Sequence, residues 1–168
     1  MILTDIDDVV LHWISTFSSW KEGKGLPILK GPDYECGAKF NQTHHFKRLP
    51  AYQDALEVLP RLAKKMQLIG ITCCGTDPEI KKARVENLEW LFGPIFEEVW
   101  CIDIHDSKMP ILEKYPPAIY IDDSLKHVKD ASEAGHRSFL IKRTWNADDH
   151  DLAPNVVHDW HEIEDMLS

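Results

Sequence analysis

Positive charge is scarce in this chain: 19 Lys and Arg stand against 28 Asp and Glu, a net charge of −9 with histidine neutral. That deficit argues against general affinity for a polyanion such as duplex nucleic acid. Long apolar runs are missing as well. None approaches the roughly 18 residues that span a bilayer, and the amino terminus lacks the basic-then-apolar layout of a secretory leader, so a cytoplasmic protein with no membrane partner is expected. Cysteine is sparse. Cys36, Cys73, Cys74 and Cys101 give no disulfide framework at this length, adjacent Cys73 and Cys74 make a poor pair, and the spacing fits no zinc pattern. They read as reduced thiols serving as small interior hydrophobes. Glycine and proline, 8 and 10 residues, are too few for a collagen-like or low-complexity chain.

What remains is an ordinary globular composition, 43 % hydrophobic and 28 % charged over 168 residues. That length suits a single domain, residues 1–168, with a real core and room for a small insertion. MILTDI, opening the chain, reads as a buried strand that runs into Asp5, Asp7 and Asp8. From Ala51 to Met66 apolar residues fall at helical spacing, with Pro60 expected to kink or divide the helix. LIGIT, 68–72, reads as a second strand. Asp77 and Pro78 start a helix whose inner face is Ile80, Ala83, Leu88 and Leu91, and Gly93 with Pro94 ends it.

Val99–Ile104 and Ala118–Ile121 are further short strands, the latter leading into Asp122, Asp123 and a helix that Gly135 closes. Ser138–Ile141 adds another strand, and Asp159 with Glu162 predicts a capping box for a final helix. Strands alternating with helices imply an α/β fold built on a mostly parallel, doubly wound sheet. Ligands of such sheets gather beyond the carboxyl ends of the strands.

At those ends the sequence places Asp5 and Asp7, then Thr72, then a region reaching Lys108, then Asp122 and Asp123. Two carboxylates about 4 Å apart repel by roughly 4 kcal/mol at an effective dielectric near 20, so a cluster of them calls for a cation. Donors that are all oxygen favour magnesium, Mg2+. Each residue alone also has an ordinary reading: a solvated strand-end carboxylate, a turn or N-cap aspartate, a surface lysine. It is their joint order along the chain that points to chemistry.

ILTDIDDVV, residues 2–10, resembles the first motif of the haloacid dehalogenase-like (HAD) hydrolase superfamily, an apolar strand followed by Asp-x-Asp. ITCCGT, with Thr72, resembles the second motif; Lys108 fits the third; YIDDS, residues 120–124, fits the acidic fourth. The order also separates the chain from receiver domains. Within the superfamily, 71–93 is most similar to pyrimidine 5′(3′)-deoxyribonucleotidases, through Glu89, Trp90, Phe92 and Gly93 and the later Thr144, Trp145, Asn146. Those relatives usually carry Thr-Ser-Pro where this chain has Thr72, Cys73, Cys74.

The resemblance implies a HAD-like Rossmannoid three-layer fold with a small cap inserted after the first strand. It implies that Asp5 attacks phosphorus to give an aspartyl phosphate, a nucleophile that is already ionised at neutral pH. Asp7 would act as general acid and then base. Asp5, Asp7 through its backbone carbonyl, and Asp122 would hold magnesium, with Asp123 behind them on a metal-bound water or Lys108. Thr72, Cys73 and Lys108 would bind the substrate phosphate.

Residues 13–49 look like the inserted cap. Glycines and prolines punctuate the segment into loops and short pieces, and it carries six basic against three acidic residues. It also holds Trp13, Phe17, Trp20, Tyr34, Phe40 and Phe46, rings that suit either the base of a nucleotide or the cap's own core. The expected activity is thus a magnesium-dependent phosphomonoesterase acting on (deoxy)nucleoside monophosphates. A polynucleotide end phosphatase, a phosphatase for another small metabolite, and a non-catalytic magnesium-binding interaction module stay open as alternatives.

Overall fold

Six short strands hydrogen-bond into one all-parallel sheet in a computed structural model that describes residues 1–168. They are β1 (Ile2–Thr4), β2 (Leu68–Thr72), β3 (Glu98–Cys101), β4 (Ile119–Asp122), β5 (Arg137–Ile141) and β6 (Val156–Val157), in the order β3-β2-β1-β4-β5-β6. Register pairs Thr4 with Gly70 on one side and Ile121 on the other, so β1 is central and its carboxyl end meets those of β2 and β4. The helices are α1 (Trp13–Gly23), α2 (Tyr34–Asn41), α3 (Gln53–Leu62), α4 (Pro78–Phe92), α5 (Met109–Leu112), α6 (Leu125–Glu133) and α7 (Trp160–Leu167).

Side chains alternate across the strands, which gives the three layers their cores. Ile2, Leu68, Ile121 and Phe139 face α3, α4 and α7 in a cluster of 24 buried residues. Leu3, Ile69, Ile71 and Tyr120 face the opposite way, onto Ile111 and Leu112 of α5 and Ala131 of α6. Each fully buried aliphatic side chain in these layers contributes about 1.5–3 kcal/mol. The all-parallel α/β architecture is the one the strand and helix alternation predicts.

Local signals hold well in α4. Asp77 accepts from the Glu79 N–H at 2.8 Å, Pro78 occupies the first turn, and the helix exits through Gly93 at φ 74°. Three expectations change. Pro60 does not divide α3, which runs unbroken through it, but the helix stops two residues later at Leu62, short of the expected Met66. The capping box at α7 is rearranged, because Asp159 accepts from the Glu162 N–H at 3.1 Å while the Glu162 carboxylate reaches back to His158 N at 2.8 Å.

The third change concerns residues 13–49. They form two helices, and Phe17, Phe40 and Phe46 join the main core, where loops and short pieces are expected from the sequence. Trp13, Phe17 and Trp20 recur at helical spacing, and Phe40 packs against all three at 5.5–5.6 Å between ring centroids. The exit of the segment is tied down as well. The Asn87 side chain of α4 bonds both the N–H and the carbonyl of Leu49, at 2.9 and 3.0 Å. No helix is long and apolar enough to cross a membrane.

Candidate active site

Beyond β1 the chain folds into a tight loop, 5–12, that is held from several directions. Asp5 N donates to Ile121 O at 2.9 Å, continuing the β1–β4 ladder by one residue. Asp8 adopts φ 63°, the left-handed region that Asp and Asn tolerate best among residues with a side chain. Its carboxylate accepts from Trp13 N at 3.0 Å and Ile14 N at 2.9 Å, and so fastens the start of α1. Arg143 Nε donates to Asp8 O at 2.7 Å, and Trp160 Nε1 to Val9 O at 3.1 Å.

The loop presents Asp5 to β4. Carboxylate oxygens of Asp5, Asp122 and Asp123 lie within 4.8 Å of one another. Lys108, completely buried ahead of α5, stands between two of them, 2.9 Å from Asp5 Oδ1 and 2.8 Å from Asp122 Oδ2. Tyr120 also donates to Asp122 Oδ2, Ser124 N to Oδ1 at 2.8 Å, and His127 Nδ1 lies 3.4 Å from Oδ2. Asp123 accepts from Trp145 Nε1 at 2.8 Å.

Charge is unevenly carried in this cluster. Burial works against ionising Asp122, yet Lys108 and His127 outweigh it and hold that carboxyl well below the usual range. Burial pushes Asp5 up, opposed by Lys108, and pushes Asp123 up to about 8 with Asp122 beside it. Burial disfavours the Lys108 ammonium, but Asp122 and Asp5 raise it above its ordinary value. One ammonium cannot balance three carboxylates. The all-oxygen donor set fits a hard divalent cation, and Asp5, Asp122 and Asp123 are the side chains that would hold it.

Asp7 is engaged elsewhere. Its Oδ2 accepts from the Thr72 hydroxyl at 2.9 Å and its Oδ1 from Arg84 of α4. Asp123, expected behind the metal set, stands in the carboxylate cluster itself, while the Asp7 carboxylate stays outside it, which agrees with the expected contribution of Asp7 through its backbone carbonyl alone. Asp123 also holds Trp145, while Lys108 goes to Asp5 and Asp122. The guanidinium of Arg84 draws the Asp7 carboxylate aside.

A cavity of about 950 Å³ opens over these groups. Asp5, Asp7, Thr72, Cys73 and Lys108 all border it, so every expected phosphate-binding residue lies in one place. Burial pushes the Cys73 thiol up to about 12, so at neutral pH it is a neutral group and no thiolate. Trp13, Phe17 and Tyr34 of the 13–49 segment also line it, and Tyr34 meets the His105 ring at 4.8 Å. Ile28 and Leu29, from the exposed stretch between α1 and α2, border it too.

Sequence reading misses Arg84, Tyr120 and His127. Arg84 lies 77 positions from Asp7 and no spacing rule links them. Tyr120 and His127 carry a signal in hindsight, since each is near Asp122 along the chain: Tyr120 two residues before it on β4, His127 in the first turn of α6.

No protein-family model matches the chain. An uncharacterized 32.4 kDa protein of Enterobacteria phage T4, from the Gp30–rIII intergenic region, is 28 % identical over 191 aligned residues, 99 % of this chain and 69 % of that protein. Among solved structures, a haloacid dehalogenase-like family hydrolase from Streptococcus pneumoniae superposes with a TM-score of 0.72 at 14 % identity, over 99 % of this chain and 97 % of its own. The L-2-haloacid dehalogenase of Xanthobacter autotrophicus, with chloropropionic acid covalently bound, gives 0.67 at 12 % over 99 % and 97 %. The HAD-hydrolase YfnB of Bacillus subtilis, bound to magnesium, gives 0.63 at 16 % over the same shares. The chain has the fold of the haloacid dehalogenase-like hydrolases.

Proposed function

We propose that this protein is a magnesium-dependent phosphomonoesterase that works through a phosphorylated Asp5, with (deoxy)nucleoside monophosphates as its substrates. The observation that carries the reading is the Asp5–Asp122–Asp123 cluster, within 4.8 Å, beside the buried ammonium of Lys108. A phosphate ester brings up to two negative charges on the very group that the Asp5 carboxylate attacks, whereas a 2-haloacid brings one, on a carboxylate beside the reacting carbon. Phosphoryl transfer therefore draws more heavily on the Lys108 ammonium and a bound cation. When bound, magnesium supplies the positive charge that lets Asp5 and the phosphate approach.

The residues divide the work. The two contacts to Asp5, from Lys108 and from Ile6 N at 2.8 Å, both use Oδ1, which leaves Oδ2 as the attacking oxygen. As the Asp5–phosphorus bond forms, the ester oxygen leaves and takes a proton from Asp7. Water then attacks phosphorus, gives its proton to Asp7, and releases phosphate with Asp5 restored. Lys108 and the backbone N–H groups after Thr72 face the phosphate oxygens. The 950 Å³ cavity, with Trp13, Phe17 and Tyr34 in its lining, is large enough for a base and sugar as well as a phosphate.

A panel of phosphate esters tests this: nucleotides with 5′ or 3′ phosphate, a phosphorylated oligonucleotide, small sugar phosphates and, as a contrast, 2-haloacids. Phosphate release from nucleotides that EDTA stops and magnesium restores is expected, with Asp5→Asn below about a tenth of wild type. Halide release, or phosphate release untouched by Asp5→Asn in folded protein, contradicts the proposal. Release confined to the oligonucleotide moves the substrate to polynucleotide ends. No release from any ester leaves the non-catalytic module.

A further inference from the structure

Arg84 is one of the largest side chains fully withheld from solvent, and the reaction as written gives it nothing to do. Its Nη2 donates to Asp7 Oδ1, but Nε and Nη1 are buried without any hydrogen-bond partner. A guanidinium buried in this way is costly, and a methionine of similar volume would fill the space without the cost. Packing alone therefore does not account for an arginine at this position.

What the guanidinium provides is a grip on one carboxylate. Thr72 of β2 donates to the second oxygen of Asp7 at 2.9 Å, so Asp7 is fixed at both oxygens from two separate elements. The guanidinium is itself held in place. The Phe46 ring lies 4.1 Å from its Cζ, face on, and Phe46 is completely buried. The planar fork cannot turn without lifting that ring, whereas a lysine in its place would offer charge without a fixed plane.

We infer that Arg84 is a positioning residue that acts through Asp7, holding its carboxylate in the one orientation from which it can exchange a proton with the reacting oxygen. The inference rests on the phosphomonoesterase reading above. Because Arg84 does not border the cavity, its removal changes turnover and leaves substrate binding alone.

The test compares Arg84→Met and Arg84→Lys with wild type on a nucleotide that the wild type hydrolyses, and places Arg84→Met in an Asp7→Asn background using an activated aryl phosphate. Arg84→Met is expected to lower kcat by about 30-fold with KM within about threefold, and Arg84→Lys to recover about fivefold of the loss. With Asp7→Asn already present, the further loss stays under about twofold. Melting curves establish that each variant is folded, and Arg84→Gln replaces the methionine variant if that one is not.

More than about half the wild-type kcat in a folded Arg84→Met overturns the inference. So do a loss seen in KM alone, equal losses for lysine and methionine, or losses that multiply with Asp7→Asn. Turnover by wild type with indifferent Arg84 variants brings down this inference alone. Wild type inactive on every ester brings down the phosphomonoesterase reading, and this inference with it.

Discussion

Asp8 is the one residue other than glycine with a positive φ, and it is also a carboxyl group away from water. Burial pushes it up to about 8 from an ordinary value of 3.8, although the Ile14 and Trp13 N–H groups pull the other way. Between those two values the folded chain keeps a proton that the unfolded chain has released. The stabilisation is therefore complete below about pH 4 and is lost as pH rises through about 8. Asparagine tolerates the same backbone, keeps an acceptor for both N–H groups and never ionises. With EDTA present, Asp8→Asn is expected to melt about 5 °C above wild type at pH 9, the gap narrowing steadily toward pH 4. Equal melting temperatures at pH 9 contradict this.

At the same scale, the identities of the reactive acids are legible in the sequence and their pairings are not. Asp5, Asp122 and Asp123 stand at strand ends, where order along the chain already places them together. The partition of Asp7 away from that group depends on Arg84, and a contact made across 77 positions leaves no periodic trace.

Among the elements, β2 shows how closely the sheet and the reactive loop are fitted. A Cβ added at Gly70 would lie 3.0 Å from Ile6 Cδ1 and 3.2 Å from its Cγ1. Ile6 sits between Asp5 and Asp7, and its carbonyl accepts from both Val10 N and Leu11 N, so a push on Ile6 is a push on the loop. Gly70→Ala is expected to cost about 1–3 kcal/mol, read as a lower melting temperature, and to reduce kcat in addition. Unchanged turnover in a destabilised variant would show that the loop absorbs the shift.

Sequence punctuation serves the elements unevenly. α4 is framed by Asp77, Pro78 and Gly93, each acting by a local rule, and it forms as expected. α1 and α2 are obscured by the glycines and prolines between them, although the Trp13, Phe17, Trp20 stripe is there to be read. β6, two residues long, exists through its pairing with β5 alone, and such a strand has no pattern of its own.

For the molecule as a whole, a small part of the negative charge is held where it is most expensive, with three carboxylates around one buried ammonium at the carboxyl edge of the sheet. A ligand that binds only the folded state raises its stability with concentration. Millimolar magnesium is expected to raise the melting temperature by about 2–4 °C at pH 7.5, and Asp123→Asn to remove most of that gain. Equal shifts in wild type and Asp123→Asn would take Asp123 out of the cation site.

Architecture is the most legible level of all, because a parallel sheet follows from alternation and the alternation is plain. The sharing of one core by the 13–49 segment and the sheet is the least legible, since burial of Phe40 and Phe46 is decided by neighbours far away in sequence. That sharing governs traffic. Swinging the whole segment aside would strip Phe17, Phe40 and Phe46 of their packing, so it cannot behave as a hinged roof. Leu26, Ile28 and Leu29 instead lie exposed on the stretch between α1 and α2. On the phosphomonoesterase reading, a bulky substrate is expected to displace that ten-residue stretch, 24–33, before any other wall, because Ile28, Leu29, Gly31 and Pro32 border the cavity and are exposed.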